Sequence, residues 1–94
     1  MSESKFAEVL DNLPTKPGVY IYKNEAGKVI YVGKAVNLRA RVRSYFHHSA
    51  QQTHKIRRLV EEIAAIDFIV AASELEALLL ENNLIKKQIG RAHV

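Results

Sequence analysis

The 94-residue chain contains no cysteine. This absence excludes a disulfide framework and thiolate metal sites, and it is typical of cytosolic proteins. No apolar run approaches the roughly 20 residues that a membrane-spanning helix needs, so we expect no membrane span. The N-terminus, MSESKFAEVL, lacks a basic stretch followed by an apolar one, so we expect no secretory signal. We therefore predict a cytoplasmic protein with a single domain over residues 1–94.

Acidic residues are missing from one long stretch. No Asp or Glu lies between Glu25 and Glu61, although the whole chain has 10 acids against 14 Lys and Arg, a net charge of +4. The basic and imidazole side chains inside this stretch are Lys28, Lys34, Arg39, Arg41, Arg43, His47, His48, His54, Lys55, Arg57 and Arg58. Such a stretch favours a phosphate backbone as partner, and the alternative is a solvated surface that keeps the protein in solution.

Apolar periodicity and turn residues predict seven elements of secondary structure. The NEAG turn joins two strands rich in β-branched and aromatic residues, and Asn37 is a suitable helix N-cap. The predicted elements are a helix that Pro14 ends, strands at 18–23 and 28–33, a helix after Asn37, a helix at 53–65, a strand at 66–72 and a helix at 73–88. This order predicts an α+β fold, with a small three-stranded antiparallel sheet flanked by helices.

Glu81 is an acid in an apolar helical environment. Its neighbours one turn away on either side are Ala77, Leu78, Leu84 and Ile85, so its carboxylate points toward the core. A buried carboxylate is normally paired, metal-bound or protonated, because burying the isolated charge is costly. Helical geometry leaves open a buried salt bridge to an arginine and a ligand or catalytic role.

The hairpin carries weaker signals. Gly33 ends the second predicted strand, where a glycine lets backbone or ligand approach closely, and Lys34 follows it. The run YVGKA is not a Walker-type phosphate loop. Strand periodicity places Tyr20 and Tyr22 on one face, where half-exposed packing aromatics are one interpretation.

Taken in order, these motifs resemble the GIY-YIG nuclease superfamily. GVY at 18–20 and YVG at 31–33 match its two signature triplets, with valine in place of isoleucine. The stretches PGVYIYKNEAGKVIYVGKAVNLRARVRSYF and ELEALLLENNLIKK are most similar to the N-terminal nuclease domains of UvrC-type excinuclease subunits. The resemblance covers about residues 12–88.

The resemblance implies a set of site residues and one divalent ion, Mg²⁺ or Mn²⁺. The implied catalytic residues are Tyr20, Tyr31, Lys34, Arg41 and Glu81, with Glu81 as the metal ligand. Three supporting positions are Gly33, Asn37 and His93, the last standing where the family usually has asparagine. The other basic residues expected to contact the DNA backbone are Arg39, Arg43, Lys55, Arg57 and Arg58.

The resemblance further implies a metal-dependent DNA endonuclease that makes the 3′-side incision at damaged DNA in bacterial nucleotide excision repair. UvrA and UvrB would locate the lesion. Either Tyr31 or Tyr20 is expected to accept a proton from the attacking water, and the sequence does not choose between them. The alternatives are a basic DNA-binding module without catalysis, which His93 leaves open, and a stand-alone structure-specific nuclease.

Overall fold

The computed structural model describes residues 6–47 and 54–86. Within these ranges the chain forms four helices and three strands: α1 (Ala7–Asn12), β1 (Gly18–Lys23), β2 (Val29–Ala35), α2 (Leu38–Tyr45), α3 (His54–Glu62), β3 (Ala65–Val70) and α4 (Glu74–Leu84). The predicted α-β-β-α-α-β-α order is confirmed.

The three strands form one antiparallel sheet in the order β2-β1-β3. The strand β1 is therefore central, and both of its neighbours are edge strands. The hairpin turn between β1 and β2 contains Gly27 at φ 81°, a left-handed conformation that glycine adopts without strain. The Asn24 side chain accepts hydrogen bonds from the amides of Ala26 and Lys28 and holds the turn.

Both faces of the sheet are covered. Directly opposed residues of an antiparallel pair share a face, so Tyr20 and Tyr22 lie on the same side as their partners Gly33 and Tyr31. This tyrosine face packs against α1, α2 and α3. The opposite face belongs to Val19, Ile21 and Val32, which pack against apolar residues of α4.

The double coverage overturns one expectation. Tyr20 and Tyr22 are 1% and 0% exposed, so neither is a half-exposed strand aromatic. Alternation along β1 shows which residues share a face, but it does not show that helices cover both faces.

The second strand is longer than predicted. It continues past Gly33 to Ala35, which pairs with Gly18. Lys34 therefore lies inside the strand, opposite Val19, and shares the face that α4 covers. This register decides on which side of the sheet Lys34 reaches the site.

Candidate active site

The four tyrosines of the chain form one aromatic cluster under α2. Tyr20, Tyr22 and Tyr31 come from the paired strands, and Tyr45 comes from the last turn of the helix. Their ring centroids lie 5.2 to 6.0 Å apart, within the range of favourable aromatic pairs. The Tyr45 hydroxyl donates to the Tyr31 hydroxyl at 3.1 Å, and the Tyr20 and Tyr45 hydroxyls are 2.8 Å apart. Three phenols thus form a hydrogen-bonded row.

Tyr45 is the site residue that sequence reasoning missed. It sits on the apolar stripe of α2, where packing alone explains a tyrosine. Its position four residues after Arg41, one turn along the same helix face, is the signal that could have found it. The Tyr45 hydroxyl connects the hydroxyls of Tyr20 and Tyr31 by hydrogen bonds, so this tyrosine does more than fill space in the core.

Gly33 makes the close packing of Tyr20 possible. The two residues are cross-strand partners, and a Cβ atom at position 33 would overlap the hydroxyl and ring carbons of Tyr20. The close approach that this glycine was expected to allow is therefore made by the Tyr20 ring in this structure.

Arg41 sets the electrostatics of the row. Its guanidinium interacts with the Tyr20 hydroxyl, and this interaction raises the pKa of Arg41. Burial raises the pKa of Tyr20, with Tyr45 and Arg41 acting in the opposite direction. Burial also raises the pKa of Tyr45 and of Tyr22. The buried phenols are therefore neutral at physiological pH.

Lys34 and Arg41 line the same open depression, of about 440 Å³, at the start of α2. Asn37 also lines it and caps the helix, since its side chain accepts from the Ala40 amide at 3.0 Å. The predicted N-cap is confirmed. Two cations and an amide thus meet at a solvent-open surface beside the tyrosine row.

Glu81 is buried on the other side of the sheet. It is 4% exposed and is the one buried charged residue within residues 6–47 and 54–86. Ala77 and Ile85, one turn away on either side, pack with Val19 on the α4 face. The predicted inward orientation of Glu81 is confirmed. Lys34 shares that face, so the predicted site residues approach β2 from both sides.

The structure gives Arg39 and Arg43 contacts within the protein. Arg39 donates to the backbone carbonyls of Leu13 and Asp11 at 2.8 and 3.0 Å. Arg43 forms a 2.6 Å ion pair with the Asp11 carboxylate. Both side chains fasten α1 to α2, which explains their presence without DNA.

The basic residues of α3 separate into two groups. Lys55 and Arg58 line depressions against β2. Arg57 is exposed and, at 100° per residue, points about 160° away from Lys55. We therefore leave Arg57 out of the candidate interface. His93 lies outside the described residues.

A GIY-YIG domain is defined by paired GVY and YVG strands, a following helix that places an arginine beside the tyrosines, and a buried glutamate, here on α4. The family model described as the UvrC-like GIY-YIG domain matches residues 16–92. The chain belongs to this family.

Its relatives include UvrABC system protein C from Chlorobium luteolum, 55% identical over 87 residues that make up 93% of this chain and 14% of that protein. The corresponding protein of Prosthecochloris aestuarii is 60% identical over 77 residues, 82% of this chain and 12% of that protein. The chain thus spans about 12–15% of the length of these curated relatives.

Solved structures of GIY-YIG domains are similar to this chain. The N-terminal GIY-YIG endonuclease domain of UvrC from Thermotoga maritima, bound to its catalytic magnesium, is 44% identical, with a TM-score of 0.81 and full coverage of both chains. Forms of that domain with single tyrosine-to-phenylalanine replacements were also solved with the divalent cation bound. The predicted family and three-stranded fold are confirmed.

Proposed function

We propose that this chain is a metal-dependent DNA endonuclease domain that hydrolyses a phosphodiester bond. The observation that carries the proposal is the hydroxyl row beside Arg41, together with a buried glutamate on α4. The Thermotoga endonuclease domain, which matches the whole chain, supports the same reaction class.

Tyr31 is the proton acceptor that best fits the row. It is half-buried, whereas Tyr20 is 1% exposed and cannot meet an external water directly. Because Tyr45 donates its single proton to Tyr31, its oxygen accepts from Tyr20. Arg41 interacts with Tyr20 at the other end. The chain of hydrogen bonds through Tyr20 and Tyr45 therefore ends on the Tyr31 oxygen, which keeps a lone pair for a hydrogen bond from the attacking water.

Lys34 and Arg41 bind the scissile phosphate. Both line the depression at the start of α2, and a guanidinium suits paired phosphate oxygens. Positioning and electrostatic stabilisation of this kind supply most of the rate in phosphoryl transfer.

Glu81 would hold the divalent ion. A carboxylate is the hard oxygen ligand that Mg²⁺ and Mn²⁺ prefer, and Glu81 is the buried carboxylate of α4. No group of three His, Cys, Asp or Glu that could hold a metal occurs in the described part of the chain, which fits a single ion hydrated mostly by water. When bound, the ion supplies positive charge at the reacting phosphate.

The longer relatives support a proposal for the biological setting. We propose that the domain makes the 3′-side incision at damaged DNA in bacterial nucleotide excision repair, in the cytoplasm, after UvrA and UvrB have located the lesion. It would act as one domain over residues 1–94. No helix in the described residues is long and apolar enough to cross a membrane.

The test is a nicking assay on duplex DNA with Mg²⁺ or Mn²⁺, with UvrA and UvrB added in a second arm. We expect the native chain to nick only with metal, and Glu81→Gln to bind DNA without nicking. If native protein and Glu81→Gln bind alike and neither nicks in either arm, the domain is a DNA-binding module without catalysis.

A further inference from the structure

A groove runs along the surface from the proposed phosphate site at the start of α2 to the space between β2 and α3. It consists of three adjoining depressions. The first, of about 440 Å³, contains Lys34 and Arg41. The second, of about 370 Å³, shares Arg41 and reaches Lys55. The third, of about 600 Å³, shares Lys55 and contains Lys28 from the hairpin turn. Shared lining residues make the three depressions one path.

The middle depression has the chemistry of a nucleobase pocket. Two tyrosines line it, of which Tyr31 is half-buried and Tyr45 is 8% exposed, together with three aliphatic side chains, and Arg41 and Lys55 are its two charged residues. The aromatic and aliphatic residues are Tyr31, Tyr45, Ile30, Ile56 and Leu59. Bases stack on aromatic rings whatever their sequence, and cations beside the rings suit the flanking phosphates. The volume lies within the about 300–1,000 Å³ of ordinary small-molecule pockets, which leaves room for one base.

The outer depression has the chemistry of a backbone track. Lys55 and Arg58 lie three residues apart on α3, so they project from adjacent turns along the groove. Lys28 faces them from the turn of the hairpin. Glu62, one further turn along α3, is the only acid that lines the described groove. Its charge repels phosphate, so the track ends there.

We propose that this groove binds the strand to be cut in single-stranded form, with one nucleobase in the pocket of Tyr31 and Tyr45 and the adjoining phosphates on Lys55, Arg58 and Lys28. The proposal rests on the proposed function, because it takes Arg41 as the phosphate contact. A paired base cannot enter the pocket, so the groove selects DNA that is unpaired beside the cut.

The test is an abasic scan. A duplex with a short unpaired segment, whose junctions with the paired DNA fix the register, carries one abasic site at successive positions on either side of one junction. A labelled single strand without abasic sites measures binding to unpaired DNA alone. Affinity for Glu81→Gln protein is measured by anisotropy, so that no cleavage occurs. We expect one position, on one side only, where loss of the base weakens binding about tenfold, the effect of losing one base–aromatic stack.

Variants locate the effect in the groove. Ile56→Trp fills the pocket and should abolish the dependence on that abasic position, with folding checked by thermal unfolding. Arg58→Ala and Lys55→Ala should each weaken binding. Each should also reduce the slope of log affinity against log salt concentration by about one. Arg57→Ala is the matched control, because it removes the same charge from the other side of α3, and it should bind as the parent does.

Each outcome decides the matter. A flat scan, or no binding of the single strand at about 100 µM, the weak end of non-specific affinity, overturns the proposal. So does an Arg57→Ala variant as impaired as Arg58→Ala. If native protein nicks while the scan is flat, only the groove is wrong. A position-specific scan without nicking supports the groove and contradicts the nuclease function.

Discussion

Tyr22 differs from the other tyrosines of the cluster. It is fully buried, it packs against the rings of Tyr31 and Tyr45, and its hydroxyl makes no hydrogen bond to any described residue. A buried polar group without a partner costs about 1–3 kcal/mol. The ring of Tyr22 therefore stabilises the cluster while its hydroxyl weakens the fold.

We predict that Tyr22→Phe raises the free energy of unfolding by about 1 kcal/mol, because it keeps the ring and removes the hydroxyl. Urea unfolding measures the change, and the nicking rate should stay within twofold. Tyr45→Phe is the matched control. It breaks the contacts to Tyr20 and Tyr31 and should lower both stability and nicking. A loss of stability in Tyr22→Phe would show that its hydroxyl is satisfied.

Gly33 and Gly27 are needed for different reasons. Gly33 leaves room for the Tyr20 ring, whereas Gly27 adopts a positive φ. We predict that Gly33→Ala lowers the nicking rate about 100-fold, because a Cβ there displaces Tyr20 and breaks the hydroxyl row. Gly27→Ala should cost about 1 kcal/mol of stability through its positive φ, and leave the site intact. Nicking rates and thermal unfolding of both variants provide the comparison. Equal nicking by the two variants would contradict the role given to Gly33.

At the scale of elements, α1 shows what a local pattern cannot supply. A helix of six residues is too short to be stable alone, so its position depends on contacts with α2. Charge predicted that Arg39 and Arg43 contact DNA, but only the tertiary structure brings Asp11 and the Leu13 carbonyl within their reach. Residue preferences likewise predicted that β2 ends at Gly33, whereas hydrogen-bonded pairing with β1 extends the strand to Ala35. The order of helices and strands and the inward orientation of Glu81 on α4 were predictable, because both depend on the spacing of apolar residues within a short segment.

We predict that Arg39→Ala lowers stability by about 1.5–3 kcal/mol, since it removes two charge-assisted hydrogen bonds to the carbonyls of Asp11 and Leu13 at the end of α1. Arg43→Ala should cost less than about 1 kcal/mol, because its ion pair is exposed. Denaturant unfolding gives the stabilities, and DNA affinity at two salt concentrations should differ little between the variants and the parent. A clear reduction of the salt dependence in both would restore these arginines to the DNA interface.

At the scale of the whole molecule, the buried tyrosines link stability to alkaline pH. The pKa values of Tyr20, Tyr22 and Tyr45 are raised, with burial as the largest cause. In the unfolded chain these phenols lose their protons near pH 10, while the folded chain retains them. The unfolded state then binds fewer protons, so the free energy of unfolding falls as pH rises.

We predict no loss from this source below pH 10, and above it a fall in the free energy of unfolding with rising pH to which all three phenols contribute. Unfolding in urea at successive pH values, with tyrosinate absorbance as the probe, measures the slope. Tyr22→Phe should make the fall of the unfolding free energy with pH less steep, because one titrating group is removed. An unchanged slope in that variant would mean that Tyr22 ionises equally in both states.

The pleat of β2 limits how the chain can vary in length. Tyr31 and Lys34 are three positions apart, so they reach the proposed site from opposite faces of one edge strand. Removing a single residue between them would move Lys34 to the face of the aromatic cluster. Its ammonium group would then be buried among the tyrosine rings. The turn at 24–28 lies outside this run and can lengthen or shorten freely. Insertions among relatives should therefore fall in the turn, while the run from Tyr31 to Lys34 keeps a constant count.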